Sequence, residues 1–94
     1  MKTYAGVTFT TEADMQLQGL IDLDIRYEIE VMEIDWLLRR DPEGLSTPKE
    51  IDGQIVYVFV TQQKKNGPQR LAVSWRPTKE PPYLVEIRDI RQFP

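Results

Sequence analysis

The sequence contains no cysteine and no histidine among its 94 residues. Without cysteine, neither a disulfide framework nor thiolate chemistry is available. Without histidine, the chain lacks the commonest general base and the commonest metal ligand. Only carboxylates remain as ligands, and these would suit a hard ion such as Mg²⁺. Asp22 and Asp24 lie close together, but a helix cap explains them better, so we expect neither a metal nor a cofactor.

Long apolar runs are also missing. The longest spans residues 55–60, which is far too short to cross a bilayer. Residues 1–20 hold no apolar stretch of the kind found in a signal peptide. Apolar residues make up 40% of the chain and charged residues 29%, both typical of a globular protein. We therefore expect one domain covering residues 1–94, located in the cytoplasm and not associated with a membrane.

The net charge of −3 is unevenly distributed along the chain. Residues 12–35 carry eight acids and one base, a balance of −7, whereas residues 64–94 carry seven bases and three acids, a balance of +4. The two halves either neutralise each other across a shared boundary or give the folded chain two faces of opposite charge. Overall acidity argues against tight, nonspecific binding to nucleic acid but leaves room for a local basic surface.

Residues 23–40 predict one helix with apolar stripes on two opposite sides. A surface helix normally carries a single such stripe. Two stripes predict apolar neighbours on both sides: a sheet on one, and either another helix or a partner chain on the other. We assign the second stripe to partner binding. The first stripe comprises Ile25, Ile29, Met32 and Trp36, and the second comprises Tyr27, Val31, Ile34 and Leu38.

The remaining segments predict the order β-α-α-β-β-β. Residues 3–9 alternate like a strand, and residues 12–21 show a helical apolar stripe. The turn-rich residues 42–53 predict a loop, and residues 54–61, 69–76 and 83–90 predict three strands. The strand at 54–61 is apolar on both faces, so we expect it to be central or covered on both sides. This order predicts an α+β fold with a helical hairpin packed on one face of an antiparallel sheet.

The last two strands divide their side chains between the two faces of the predicted sheet. Leu71, Val73 and Trp75 share one face with Val85 and Ile87, which we assign to the core. The other face is predicted to be open. It carries Arg70, Arg76, Glu86 and Arg88, which form either a cross-strand ion-pair ladder or a site for an anion.

The sequence resembles the RelE/ParE superfamily of toxins from type II toxin–antitoxin systems. The resemblance rests on an ordered set of motifs rather than on any one of them. They are FTTEA at residues 9–13, LLRRDP at 37–42, IDG at 51–53 before the strand QIVYVFV, then LAVSWR and VEIRDI. It covers nearly the whole chain and implies the fold already predicted.

The resemblance implies a small toxin that an antitoxin protein neutralises. RelE-like members cut mRNA on the ribosome without a metal, and ParE-like members inhibit DNA gyrase. In the first case Arg70, Arg76, Glu86 and Arg88 would form the catalytic cluster, with Glu86 as the base. Lys64 and Lys65 would contact the RNA backbone, and Tyr57 and Tyr83 would stack on bases. Otherwise the lysines belong to a solvated loop and the tyrosines to ordinary packing. The alternative function is a non-catalytic binding module on the same fold, as a homodimer through the second helix.

Overall fold

The structure, a computed structural model, describes residues 4–94. In chain order the elements are β1 (Gly6–Phe9), α1 (Thr11–Leu23), α2 (Tyr27–Arg40), β2 (Thr47–Ile51), β3 (Gln54–Val60), β4 (Leu71–Pro77) and β5 (Leu84–Gln92). The five strands form one sheet in the order β1-β5-β4-β3-β2. β1 is parallel to β5 and every other pairing is antiparallel, so the sheet is mixed. The α+β fold is confirmed.

Two separate helices form because the chain breaks between them at Asp24. The side chain of Thr10 caps α1 by accepting from the Ala13 N–H at 3.2 Å. Asp24 ends α1 in an extended conformation, and its carboxylate accepts from the Arg26 N–H at 3.0 Å. α2 ends with Arg39 beside the negative end of the helix dipole, as the sequence predicts. Within residues 4–94 neither helix is long and apolar enough to cross a membrane.

The core lies between the helices and one face of the sheet. Trp75, Val73, Leu71, Val85 and Ile87 are all fully buried there, which confirms the face assigned to them from the sequence. From the helices the core takes Ala13, Leu17, Tyr27, Ile34 and Leu38.

One predicted loop is partly wrong, because residues 42–53 contain the edge strand β2. The turn that joins β2 to β3 has positive φ at Asp52 (51°) and Gly53 (77°), a conformation that favours tight hairpins. In the sequence, the Asp52-Gly53 pair indicates a hairpin turn. Pro48 argues against a strand before that turn. Proline cannot donate to a strand ladder and is tolerated in a strand at the edge of a sheet.

Of the two alternatives for the strand at 54–61, the structure bears out a position inside the sheet. β3 lies second from the edge, and residues 54 and 55 are exposed while only Phe59 is buried. The helices cover one face of the sheet and do not reach this end of β3. Its apolar side chains therefore mark a strand inside the sheet, not one covered on both sides.

A β-bulge interrupts the pairing of β4 with β5. Ser74 pairs with Asp89 and Trp75 with Ile87, which leaves Arg88 as an extra residue. The buried residues of β5 are accordingly Val85, Ile87 and Ile90, spaced by two and then by three. Ile90 follows Ile87 by three residues, so strict alternation would place it on the opposite face of the sheet. The extra residue at the bulge turns Ile90 back towards the core.

Candidate functional site

Arg76 and Arg88 converge on Glu86 on the sheet face that carries no helix. Arg76 pairs with Glu86 across β4 and β5. The Arg88 guanidinium lies 2.6 Å from Glu86 Oε1, and Nε of Arg76 lies 3.9 Å from the same oxygen. Both contacts engage Oε1, and within residues 4–94 the hydrogen bond that Glu86 accepts from Arg88 also goes to Oε1, not to Oε2. One carboxylate between two guanidinium groups can therefore offer its second oxygen to a ligand.

The two arginines are held differently. Arg76 also donates to Gln54 Oε1 at 2.7 Å, so contacts on both neighbouring strands fix its guanidinium. Arg88 sits at the bulge and is more exposed than Arg76. Bulges re-aim side chains and are enriched beside active sites. The arrangement presents positive charge to solvent from a rigid strand and from a bulge next to it.

Arg70 does not join this cluster. It lies one position before β4 begins and six residues before Arg76, which places it about 20 Å away in an extended chain. Its guanidinium lies 5.0 Å from the Phe93 ring centre and donates to the Pro94 carbonyl at 2.9 Å. Arg70 therefore fastens the C-terminal residues to the opposite end of the sheet.

Of the two predicted RNA-binding lysines, both are exposed, but Lys64 is engaged in ion pairs with α2. Lys64 Nζ lies 3.1 Å from the buried carboxylate of Glu30 and also donates to Glu33. Hydrogen bonds from Lys64 to Glu33 and Glu30 raise the pKa of the lysine above its ordinary value. Arg26 adds a bond to the Asn66 carbonyl at 2.6 Å. These contacts anchor the loop between β3 and β4, residues 61–70, onto α2.

Tyr57 lies on the helix-covered face, opposite the arginine cluster. Its ring stacks on Trp75 with the ring centres 4.6 Å apart. The predicted base-stacking role is therefore wrong for Tyr57, because its ring is packed against the core. Tyr83 is half-buried, and its backbone carbonyl accepts from the Ala5 N–H at 2.8 Å.

A polar cluster that the sequence did not reveal surrounds Tyr57. Glu43 Oε1 accepts from the Tyr4 hydroxyl at 3.0 Å and from the Tyr57 hydroxyl at 3.4 Å. Burial, followed by the nearby Glu43 carboxylate, raises the pKa of both tyrosines. Ser46 accepts from the Trp75 indole N–H at 2.9 Å. These partners come from distant segments, so no local pattern announces them. They attach the loop after α2 to the sheet.

The stripe that the sequence assigned to a partner is core, and that assignment is wrong. Tyr27, Ile34 and Leu38 are at most 1% exposed, and Val31 packs against the same cluster. This side of α2 packs against the core face of the sheet. The opposite stripe is the open one: Ile25, Ile29, Met32 and Trp36 are 66%, 67%, 72% and 56% exposed.

Two other features complete the surface. A shallow cavity of about 320 Å³ is lined by Leu37, Arg40, Asp41 and Leu45 at the C-terminal end of α2. Arg40 also lies over the Trp36 ring at 4.6 Å. Among residues 4–94 no group of three carboxylates, histidines or cysteines could hold a metal ion.

Comparison with known proteins finds no match for this chain. No protein-family profile, no curated protein and no solved structure matches the chain. The class is therefore defined by its architecture: a two-helix layer on one face of a five-stranded mixed sheet.

Proposed function

We propose that the chain is a toxin of the RelE/ParE type and that its open sheet face cleaves RNA without a metal. The observation that supports this most is the convergence of Arg76 and Arg88 on Glu86 where no helix covers the sheet. The helical hairpin that precedes a run of antiparallel strands agrees with the architecture implied by the resemblance.

The proposed reaction uses the RNA's own 2′-hydroxyl as the nucleophile. Glu86 accepts the hydroxyl proton as the 2′-oxygen forms a bond to the adjacent phosphorus. The bond from phosphorus to the 5′-oxygen breaks, and that oxygen takes a proton from water. The products are a 2′,3′-cyclic phosphate and a free 5′-hydroxyl. Arg76 and Arg88 stabilise the negative charge that grows on the phosphate oxygens, since a guanidinium offers paired donors in a plane.

The proposed partners follow from the same resemblance. Translating ribosomes would present the mRNA, and an antitoxin protein would block the toxin. Inhibition of DNA gyrase is the other activity that the resemblance implies, and it would use no carboxylate base. The two activities are therefore separated by Glu86: its neutral amide variant would lose RNA cleavage and keep gyrase inhibition.

Expression in a bacterial host tests the proposal. We expect growth arrest, relief by the product of a neighbouring antitoxin gene, and new mRNA ends detected by primer extension. Arg88→Ala, Arg76→Ala and Glu86→Gln should each abolish the mRNA cuts, with a loss of about 100-fold or more in cleavage rate on purified RNA.

Arg91→Ala is the matched control. Arg91 lies on the same strand, pairs with Asp89 at 2.7 Å and is 75% exposed, so its loss removes one positive charge without touching Glu86. Growth arrest with altered DNA supercoiling and intact mRNA would identify the gyrase branch. A folded protein that neither slows growth nor cuts RNA would refute the toxin proposal.

The exposed stripe made of Ile25, in the turn before α2, and of Ile29, Met32 and Trp36 on α2 favours a second candidate, a non-catalytic binding module. Four large apolar side chains in one line are more than a soluble surface usually leaves open. This candidate predicts no growth arrest and no effect of the Arg88 substitution. It also predicts that a charge placed in the stripe abolishes binding to the partner.

A further inference from the structure

The outer edge of β2 forms one end of the sheet, and all five residues of the strand are exposed. Within residues 4–94 no other strand pairs with this edge. An uncovered edge offers backbone N–H and C=O groups to a strand of another chain, and proteins associate through their sheets by this route. What β2 can accept therefore depends on which of its backbone groups point outward.

The hairpin turn sets the direction of these groups. Both central residues of the turn between β2 and β3 have positive φ, so the flanking Ile51 and Gln54 form a hydrogen-bonded pair. Because bonded and non-bonded pairs alternate, positions 47, 49 and 51 direct their N–H groups to β3, and positions 48 and 50 direct theirs outward. The far side of β3 agrees, since the odd-numbered Thr61 just past it donates its N–H to Leu71 in β4 at 3.0 Å. Pro48 has no N–H, so one of the two outward donors of β2 is missing.

We infer that Pro48, Lys49 and Glu50 close this edge to a second copy of the chain. Two β2 strands can overlap antiparallel by three residues or more in three symmetric registers, because backbone hydrogen bonds must join outward-facing positions. A register centred on Pro48 sets two prolines at the bonding position, where neither can donate. A register centred on Lys49 sets two lysines opposite each other and loses two of four hydrogen bonds. A register centred on Glu50 sets two glutamates opposite each other.

The two like-charge pairs are not relieved by neighbouring charges. Among residues 4–94 neither Lys49 nor Glu50 takes part in an ion pair. Like charges directly opposite across two strands are destabilising, and a missing donor leaves a carbonyl of the other strand unpaired. Each symmetric register thus has a cost in charge, in hydrogen bonds or in both. This inference goes beyond the proposed ribonuclease and stands even if the sheet face is inert.

The other end of the sheet is protected by a helix instead. β5 extends beyond its pairing with β1, which ends at Ile87. Gln16 on α1 covers the unpaired part: its Oε1 accepts from the Ile90 N–H at 2.8 Å, and its Nε2 donates to Asp89 Oδ1 at 3.0 Å. Within the described chain β2 has no such cover, since all five of its residues are exposed. Its protection therefore comes from its own sequence.

A double variant that removes both obstacles from the Lys49-centred register tests the inference. Pro48→Thr supplies the missing donor, and Lys49→Thr removes the opposed lysines. The double variant should dimerise through β2, so that backbone amide exchange at positions 48 and 50 slows by about threefold or more between about 50 μM and about 1 mM protein. Sedimentation velocity should show the same association. In the wild type and in Lys49→Thr alone, exchange at position 50 should not depend on concentration, because both chains retain Pro48.

Moving the proline by two residues supplies the matched control. Adding Glu50→Pro to the double variant again removes one outward donor from each strand, so the amide at position 48 should exchange at the same rate at both concentrations. Emission from the buried Trp75 verifies folding, and Pro48→Ala with Lys49→Thr replaces the double variant if the latter does not fold. Concentration-dependent protection of β2 in the wild type would overturn the inference. A folded double variant whose β2 amides exchange equally fast at both concentrations would also overturn it.

Discussion

Ile29 and Ile34 lie five residues apart on α2, yet the first is 67% exposed and the second only 1%. Ile34→Ala should lower the free energy of unfolding by about 2–4 kcal/mol, because it leaves a cavity in the core. Ile29→Ala should change it by less than about 0.5 kcal/mol. Urea unfolding at low protein concentration measures both. Equal effects of the two substitutions would contradict the orientation of α2.

The contact between Lys64 and Glu30 gives a second prediction. Glu30 is buried and Lys64 is half-exposed, so Lys64→Met leaves a buried carboxylate without its cation. We expect a loss of about 1–3 kcal/mol in the free energy of unfolding. Lys65→Met removes the same charge from the neighbouring exposed position and should have little effect. If Glu30→Met added to Lys64→Met restores stability, the cost was that of the unpaired charge.

The raised pKa of Lys64 also gives the pair a pH dependence. A lysine whose folded pKa exceeds its unfolded value stabilises the fold fully below the unfolded pKa, and this contribution disappears as pH rises through the folded pKa. The difference in stability between wild type and Lys64→Met should therefore be constant through neutral pH and shrink in strongly alkaline solution. A difference that already falls between pH 6 and 8 would contradict this ion pair.

Tyr4 and Tyr57 share the Glu43 carboxylate, and burial and this carboxylate raise their pKa values above 10.0. Their contribution to stability is present below the ordinary tyrosine pKa and is lost as pH rises through the folded values. Glu43→Gln should let both phenols ionise at lower pH, as ultraviolet absorbance of tyrosinate would show. Glu50→Gln, on exposed β2, should leave the titration unchanged. An identical curve for both variants would argue against the shared carboxylate.

The bulge at Arg88 predicts an unusual tolerance to deletion. Removing Arg88 makes the spacing of Val85, Ile87 and Ile90 regular, so all three can stay buried. We expect the free energy of unfolding to change by about 1 kcal/mol or less. Removing Glu86 instead shifts Val85 to the other face of the sheet, and should cost about 2 kcal/mol or more. Circular dichroism and urea unfolding compare the two. The bulge would be refuted if removing Arg88 unfolds the chain.

Much of the fold could be predicted because its signals are local. Alternation in residues 71–76 assigned Val73 and Trp75 to the core face, and the Asp41-Pro42 pair correctly ended α2. β2 was missed because it is exposed throughout and contains Pro48, so it lacks the apolar pattern that marks a strand. The apolar residues Val85, Ile87 and Ile90 are spaced by two and then by three, and this break in the alternation indicates the bulge.

The candidate site was only partly predictable, because long-range contacts decide which charges are engaged. The sequence placed Arg76, Glu86 and Arg88 together by alternation, and the structure brings them together. It could not show that Lys64 would contact Glu30, 34 residues away, or that Arg70 would contact the C-terminal residues.

The sequence by itself determined that α2 has two apolar stripes, because side-chain direction on a helix follows from spacing alone. Only the tertiary structure decided which stripe is buried. Both stripes have suitable spacing and composition, and the choice depends on how the whole helix docks on the sheet. Docking placed Tyr27, Ile34 and Leu38 inside and left Ile29, Met32 and Trp36 in solvent.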